Sequence, residues 1–284
     1  MKRHSLRLAV FELFIFQKVH SPILFLLATN LPKMRKFTAL AIILFLSQIV
    51  LAQSDIQNTI YSKILKDDRL LNIHLPRSYN DSIDKKYPLI ITLDSENIYY
   101  FTVANAEIYY DSDPDFQIIP ETIIVGIKQN YNYKNTKNLI RGRDANYDIK
   151  TGLLTKNSEE FKNFIYQELL PFLKSNYRIN DFSAIIGHSL TATFVSNLLL
   201  EDNNQIKAFI SISPNLPNEL AEKINAKKYS TPKIYYNSTG TYDLSNHKNS
   251  TEKFRDKYGV NKQLIYQFEF FENENHLSLI NRSL

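Results

Sequence analysis

The sequence predicts an α/β domain: a mostly parallel central sheet of about eight strands with helices on both faces. Three observations predict it. Short continuous apolar runs, such as Leu89 to Leu93, Ile123 to Ile127 and Ala208 to Ile212, read as strands buried on both faces. Between them lie stretches whose apolar residues recur at helical spacing. After an N-terminal leader, roughly 230 residues remain, enough for one ample core, with no internal repeat or low-complexity linker.

The leader comes first. Met34-Arg35-Lys36 is followed by an apolar run from Phe37 to Leu51, then Ala52-Gln53. A basic start, a short apolar core and small residues before the cut describe a secretory signal peptide over 34–52, cleaved after Ala52. The chain has only two methionines, Met1 and Met34. Residues 1–33 are therefore expected to be an upstream extension from a mis-assigned start. A retained anchor at Phe37 to Leu51 is the alternative. The expected destination is secreted or periplasmic, with membrane contact only through an uncleaved leader.

Without residues 1–52, the domain 53–284 holds 27 Lys or Arg against 28 Asp or Glu, a net of −1. The basic balance belongs to the leader and gives no reason to expect a nucleic-acid partner. The chain has no cysteine, which excludes disulfides, thiolate metal sites and cysteine nucleophiles. No cofactor and no metal site are expected.

The elements follow in order. Ile60 to Leu65 and Leu70 to Leu75 read as a hairpin around residues 66–69. Leu89 to Leu93 and Ile123 to Ile127 are central strands. Gln129 to Leu154 is polar and rich in Asn and Tyr, and reads as a long surface excursion. Asn157 with Glu160 forms a capping-box pattern ahead of Phe161, Phe164, Ile165 and Leu169, and Pro171 kinks or restarts that helix. Ala184 to Gly187, Ala208 to Ile212, Lys233 to Tyr236 and Leu264 to Phe271 complete the sheet.

The stretch Ser183-Ala184-Ile185-Ile186-Gly187-His188-Ser189-Leu190-Thr191 carries the chemistry. A buried strand turns at Gly187-His188-Ser189-Leu190 into a helix with Ala192, Phe194, Val195, Leu198 and Leu199 on one face. A serine at a sharp strand-to-helix turn is a nucleophile elbow, which lifts the hydroxyl above the sheet and aims the first helical amides at whatever it attacks. The plainer alternative is a strand ending in Gly-x-Ser with Ser189 as a helix N-cap. In an open parallel sheet, sites form at the strands' carboxyl ends. Asp94-Ser95-Glu96, Ser189, Asp243 and His276 all fall there.

A serine hydroxyl needs a base. Of the histidines after the leader, His74 sits in the first hairpin and reads as structural. His188 is in the elbow, with its side chain expected to point away from the serine. His247 lies in a polar stretch before a helix. His276 follows the last strand, and the order serine, acid, histidine is that of an elbow-bearing hydrolase.

Several further pieces carry a resemblance: Tyr87-Pro88-Leu89-Ile90-Ile91-Thr92-Leu93-Asp94, Val125-Gly126-Ile127, Arg141-Gly142-Arg143-Asp144, Glu168-Leu169-Leu170-Pro171-Phe172 with Asn176-Tyr177-Arg178, and Ile186-Gly187-His188-Ser189-Leu190. In this order, from Tyr87 to His276, the chain resembles the putative esterase family of α/β-hydrolases, the group that includes esterase D, enterochelin esterase and feruloyl esterase relatives. The resemblance implies the α/β-hydrolase fold and a serine hydrolase acting on small-molecule carboxylic esters through an acyl-enzyme. It implies Ser189 as nucleophile, His276 as general base, Asp243 as its orienting acid, and an oxyanion hole from the amide of Leu190 and the loop at Ser95 or Glu96.

Other carboxylates lie near the right strand ends. Asp256 lies within a helix, and Glu272 and Glu274 lie in the histidine's own loop, whereas Asp243 follows a strand and the permissive Gly240. Arg141, Arg143 and Asp144 are candidate cleft residues for an anionic or catechol-bearing ligand, with a charged loop or an internal ion pair as the alternative. Two departures stand out: Thr191 and Ser95 occupy positions where the family often has glycine. The chain also stops eight residues after His276, where members often continue, so C-terminal truncation is one expectation. The competing functions are a non-catalytic binding protein on this fold and an acyltransferase on the same triad.

Overall fold

The computed structural model describes residues 55–110, 118–128, 139–258 and 263–284. The leader, its cleavage point and residues 129–138 of the polar excursion lie outside the described residues.

The strands are β1 (Ile56–Ser62), β2 (Asp67–His74), β3 (Tyr87–Thr92), β4 (Ile123–Ile127), β5 (Ile179–His188), β6 (Ala208–Ile212), β7 (Lys233–Tyr242) and β8 (Leu264–Asn275). They form one sheet in the order β1-β2-β4-β3-β5-β6-β7-β8. The first two pairings, β1 with β2 and β2 with β4, are antiparallel, and every pairing from β4 through β8 is parallel. The chain leaves β3 for β4 on one side and returns as β5 on the other. The strand order therefore reverses between β3 and β5, where an open α/β sheet forms its ligand crevice.

The helices are α1 (Ser95–Tyr109), α2 (Leu139–Ala145), α3 (Lys156–Phe164), α4 (Leu170–Asn176), α5 (Leu190–Leu198), α6 (Asn218–Ala226), α7 (Ser245–Tyr258) and α8 (Leu279–Ser283). Side chains alternate across a strand, so each strand feeds both layers. On one face Ile91, Ile185, Phe209 and Tyr235 meet Phe161, Phe194 and Phe254. On the other, Ile186 and Ile212 meet Ile98 of α1 and Leu279 and Ile280 of α8.

Several boundaries differ from the sequence reading. The hairpin turn is residues 63–66, three residues earlier than expected. Glu168 causes the shift, because its carboxylate accepts the Ser62 hydroxyl at 2.5 Å and the amides of Lys63 and Ile64 at 2.9 and 3.3 Å. Lys66 closes the turn with φ 55°. Thr155, rather than Asn157, precedes the helix, so the expected capping box does not form. A π turn at Ile165–Leu169 separates α3 from α4, which restarts with Pro171 in its first turn. Part of the polar excursion is the helix α2, followed by a bridge between Tyr147 and Leu154.

β7 and β8 run well past their expected ends. The polar run Asn237-Ser238-Thr239 reads as loop but is buried strand. Tyr266 donates to the Asn237 amide oxygen, Ser238 pairs with Ser283, and Thr239 donates to Asp243. These partners offset much of the cost of burying them, although the Asn237 amide nitrogen is buried without one.

Candidate active site

Gly187 brings β5 and α5 together. A Cβ there would lie 2.5 Å from the Thr191 carbonyl oxygen and 2.9 Å from the Ala192 nitrogen, so only glycine lets the helix start this close to its strand. Ser189 holds φ 59° and ψ −117°. That conformation costs a non-glycine residue on the order of 1–3 kcal/mol. The amide of Ser189 is fixed by the Ile212 carbonyl at 2.9 Å. The next residue, Leu190, begins α5, so its amide has no intrahelical acceptor.

Across the crevice, β3 is followed by Leu93, whose amide donates to the Ile186 carbonyl, and by Asp94 with φ 54°. Helix α1 starts at Ser95. Ser95 and Glu96 are therefore the first helical residues there, as Leu190 and Thr191 are in α5, and the two helix N-termini share one crevice. Ser95 is fully buried, and its hydroxyl accepts the Asn72 amide at 3.1 Å. It fits because Gly126 on β4 leaves room: a Cβ there would lie 2.4 Å from the Ser95 Oγ.

At the other end of the site, His276 Nδ1 is 2.7 Å from Asp243 Oδ1. The carboxylate accepts, so Nδ1 carries the hydrogen, and Nε2 of the neutral ring is left as an acceptor. Asp243 also accepts the Ser213 hydroxyl (2.7 Å), the Thr239 hydroxyl (2.8 Å) and the Leu244 amide (2.8 Å). Burial pushes the Asp243 carboxyl up, but the hydrogen bonds from His276, Ser213, Thr239 and Leu244 outweigh it and hold the group below the ordinary carboxylate range.

Two further histidines pack on His276. The His188 ring lies 4.6 Å from it and donates through Nε2 to the His276 carbonyl at 2.7 Å. The His247 ring stands edge-on at 5.2 Å and donates through Nδ1 to the Ser213 carbonyl at 2.7 Å. Burial, reinforced by the neighbouring His276, pushes His188 down to about 4, and burial lowers His247 as well. Both are neutral at pH 7.

The structure thus brings Asp243 and His276 into contact, and sets Ser189 directly after the histidine that packs against His276. His188 turns toward the histidine loop, a role its place in the elbow did not suggest. Glu272 accepts from Thr241 and Glu274 pairs with Arg282 at 3.4 Å, both on β8 rather than in a loop. Asp256 is exposed and pairs with Arg255. His74 contacts Glu107 and Asp55, a structural place.

The arginine cluster divides. Asp144 is fully buried between Arg69 (2.7 Å) and Arg143 (3.0 Å), and Arg143 also reaches Asp67. For Asp144 this corrects the cleft expectation: the internal ion pair is what forms, because a buried carboxylate takes the guanidinium partners within reach. Arg141 lies under the elbow. Its Nε donates to Asp94 Oδ1 at 2.6 Å, and one terminal nitrogen donates to Asp94 Oδ2 at 2.8 Å and to the His188 carbonyl at 2.9 Å. Thr191 Oγ1 accepts the His188 amide at 2.9 Å and donates to Asp94 Oδ2 at 2.7 Å.

Thr191, Ser213, Thr239 and His188 were not legible as site residues, and Asp94 was legible only by its place at the end of a strand. One signal was available: Thr191 and Asp94 are polar residues at the ends of apolar strands, where no solvent-facing role explains them.

The family model described as "Putative esterase" matches residues 62–255. The chain belongs to the putative esterase family and is a carboxylic ester hydrolase. Solved structures agree on the fold. An IroE-like serine hydrolase from Shewanella oneidensis superposes with TM-score 0.69 at 23% identity, over 81% of this chain and 77% of the other. The BES protein from Bacillus cereus gives 0.68 at 20% identity, over 82% and 92%. The siderophore hydrolase EstB from Aspergillus nidulans gives 0.64 at 16% identity, over 81% and 91%. No curated protein matches the chain. The eight-stranded, mostly parallel sheet is the α/β-hydrolase fold that the sequence implies.

Proposed function

We propose that this esterase works through a Ser189–His276–Asp243 triad and an acyl-enzyme. The observation that carries the reading is the partly buried 2.7 Å contact between Asp243 and His276 Nδ1, which leaves Nε2 of the histidine as a base, on the same rim as a strained elbow serine. Nε2 of His276 takes the Ser189 proton as Oγ attacks the ester carbonyl. The carbonyl oxygen becomes an oxyanion facing the amide of Leu190 and an amide at Ser95 or Glu96. The intermediate collapses with loss of the alcohol, which takes the proton from His276. Water then repeats the sequence on the acyl-serine. Each oxyanion donor is worth about 3 kcal/mol of barrier. Thr191, a departure from the family's usual glycine, is buried in the scaffold under the elbow, bonded to the His188 amide and to Asp94.

The test is a fluorophosphonate probe with a panel of carboxylic esters of increasing acyl length. The wild-type protein should label at Ser189 alone, and Ser189→Ala should lose both labelling and turnover. Continued hydrolysis by purified Ser189→Ala protein, free of contaminating hydrolases, would sink the reading.

We also propose export through residues 34–52. N-terminal sequencing of the secreted or periplasmic form should begin at Gln53. An intact chain fractionating with the membrane would favour an anchor instead.

A further inference from the structure

We propose that Asp94, Thr191 and Arg141 form a clamp that sets the spacing of the oxyanion hole, with all three acting as positioning residues. The inference rests on the triad reading and adds what holds its anion site in shape.

The hole needs amides from two separate helices, α1 and α5, with start points 95 residues apart in sequence. The pairing of β3 with β5, down to the Leu93 amide on the Ile186 carbonyl, brings the two helix starts near each other, and side chains set the finer spacing. Asp94 is the last residue before α1, and Thr191 is the second residue of α5. The hydrogen bond between Thr191 Oγ1 and Asp94 Oδ2, at 2.7 Å, ties the two N-termini directly. Arg141 closes the clamp, gripping both oxygens of Asp94 and the His188 carbonyl at the base of the elbow.

The hydrogen count closes too. The single Thr191 hydroxyl hydrogen has two acceptors in reach, Asp94 Oδ2 at 2.7 Å and the His188 carbonyl at 3.0 Å, of which the carboxylate is the nearer and the charged one, while its oxygen receives the His188 amide. Asp94 is only 2% exposed, and the Arg141 side chain is 14% exposed, so solvent does little to loosen the set. Asp94 itself holds φ 54°, a conformation that stays populated only when its surroundings impose it. A glycine at position 191 could provide neither the acceptor for His188 nor the donor to Asp94. The departure from the G-x-S-x-G pattern is thus a side chain with its own task.

The clamp touches no reacting atom, and a route through the hole is told from one through His188 and its neighbour His276 by a substrate whose carbonyl cannot use the hole. Thr191→Val keeps the shape and removes the hydroxyl, and Thr191→Ser keeps the hydroxyl. Arg141→Lys keeps the charge and loses the fork, as a lysine cannot match a bidentate carboxylate. The experiment compares kcat and KM on one ester and on its thionoester, in which sulfur replaces the carbonyl oxygen. Sulfur is a poor hydrogen-bond acceptor, so an intact hole favours the oxygen ester and a damaged one loses that preference. Thr191→Val and Arg141→Lys should lower kcat on the ester about 10- to 100-fold with little change in KM, and lower the ester-to-thionoester ratio by a similar factor. Thr191→Ser should restore both.

A kcat loss with the ratio unchanged would overturn the clamp, since damage to the base or the nucleophile lowers both substrates alike. Wild-type kinetics in both folded variants would overturn it as well. Failure of the wild-type protein to label or turn over would instead remove the triad reading beneath it. Circular dichroism and thermal melts establish that each variant is folded, and Arg141→Lys keeps the test open if Thr191→Val does not fold.

Discussion

Two regions of this molecule bury an aspartate almost completely, and they do so in opposite ways. On the flank between the hairpin and α2, Asp144 sits between two guanidiniums: Arg69, fully buried over the Phe161 ring, and Arg143. At the carboxyl ends of β6 and β7, Asp243 sits among two hydroxyls, a backbone amide and an imidazole, with no permanent cation among them. Asp144 is neutralised at all times, and its environment never changes. Asp243 is held ionised by neutral dipoles, so in the proposed mechanism its charge remains free to act on a ring that becomes positive only during the reaction. Equal burial therefore implies nothing about function; what matters is whether the partner's charge changes.

The largest expected effects test this contrast directly. Asp243→Asn should keep the fold and cut turnover by up to about 10⁴-fold, because the amide no longer favours the required tautomer or stabilises the imidazolium. Asp144→Asn should leave turnover per folded molecule near wild type but cost about 3–5 kcal/mol of stability, the usual result of orphaning one member of a buried pair. Arg69 tolerates this poorly, since its Nε already has no hydrogen-bond partner. Turnover with ester and urea unfolding, run on both variants, give the four numbers. If the two profiles are exchanged, the contrast is wrong. Glu272→Gln and Glu274→Gln should be mild; a dead variant of either alongside an active Asp243→Asn would move the acid, and activity in all three would leave a Ser-His dyad.

How much of this was legible in the sequence depends on the range over which each feature is determined. The central strands and the elbow are local: an apolar run, a glycine and a serine in consecutive positions are enough. The contact of Asp243 with His276, the proposed acid and base, was reachable through chain order and loop position. The remaining members of the site are set by contacts no local pattern encodes. Ser213 reaches Asp243 across 30 residues and comes within 3.0 Å of His276 across 63, from a φ of 52° that no residue type there announces. Polarity misled at the end of β7, where Asn237, Ser238 and Thr239 look like loop because their partners are distant in sequence. The hairpin register was set by Glu168, more than a hundred residues away.

An intermediate effect concerns pH and applies to the catalytic side of the comparison. His188 has an ordinary value of 6.5 and is pushed down to about 4 in the fold. Between those values the unfolded chain binds the proton and the native one does not, so stability rises with pH across the window. The contribution is complete above about 6.5 and is lost as pH falls toward 4. Between pH 7 and pH 5 the loss is about 2 kcal/mol, at roughly 1.4 kcal/mol per unit. His247, also lowered, adds loss of the same sign, and Asp243 adds more below the ordinary carboxylate value of 3.8. Urea unfolding at the two pH values should show this slope, and His188→Gln should flatten most of it. An equal slope in His188→Gln would mean the buried histidine is not its source.

The smallest expected effect sharpens the contrast from the flank. Arg143 shares Asp144 with Arg69, yet its side chain is 37% exposed, and its second partner, Asp67, is 35% exposed. Solvent screens much of what it contributes, so Arg143→Gln should cost less than about 1 kcal/mol, the range of exposed pairs. Asp144 would still receive both nitrogens of Arg69, at 2.7 and 3.1 Å, and so keep its neutralising partner. The same variant also decides the sequence expectation that Arg143 grips an anionic or catechol-bearing ligand. If the flank is only scaffold, kcat and KM should stay within about two-fold of wild type for neutral esters and for esters carrying a carboxylate, a change worth about 0.4 kcal/mol or less. A KM that rises at least ten-fold for the anionic ester alone would place Arg143 in the cleft, and the flank would then belong to the site.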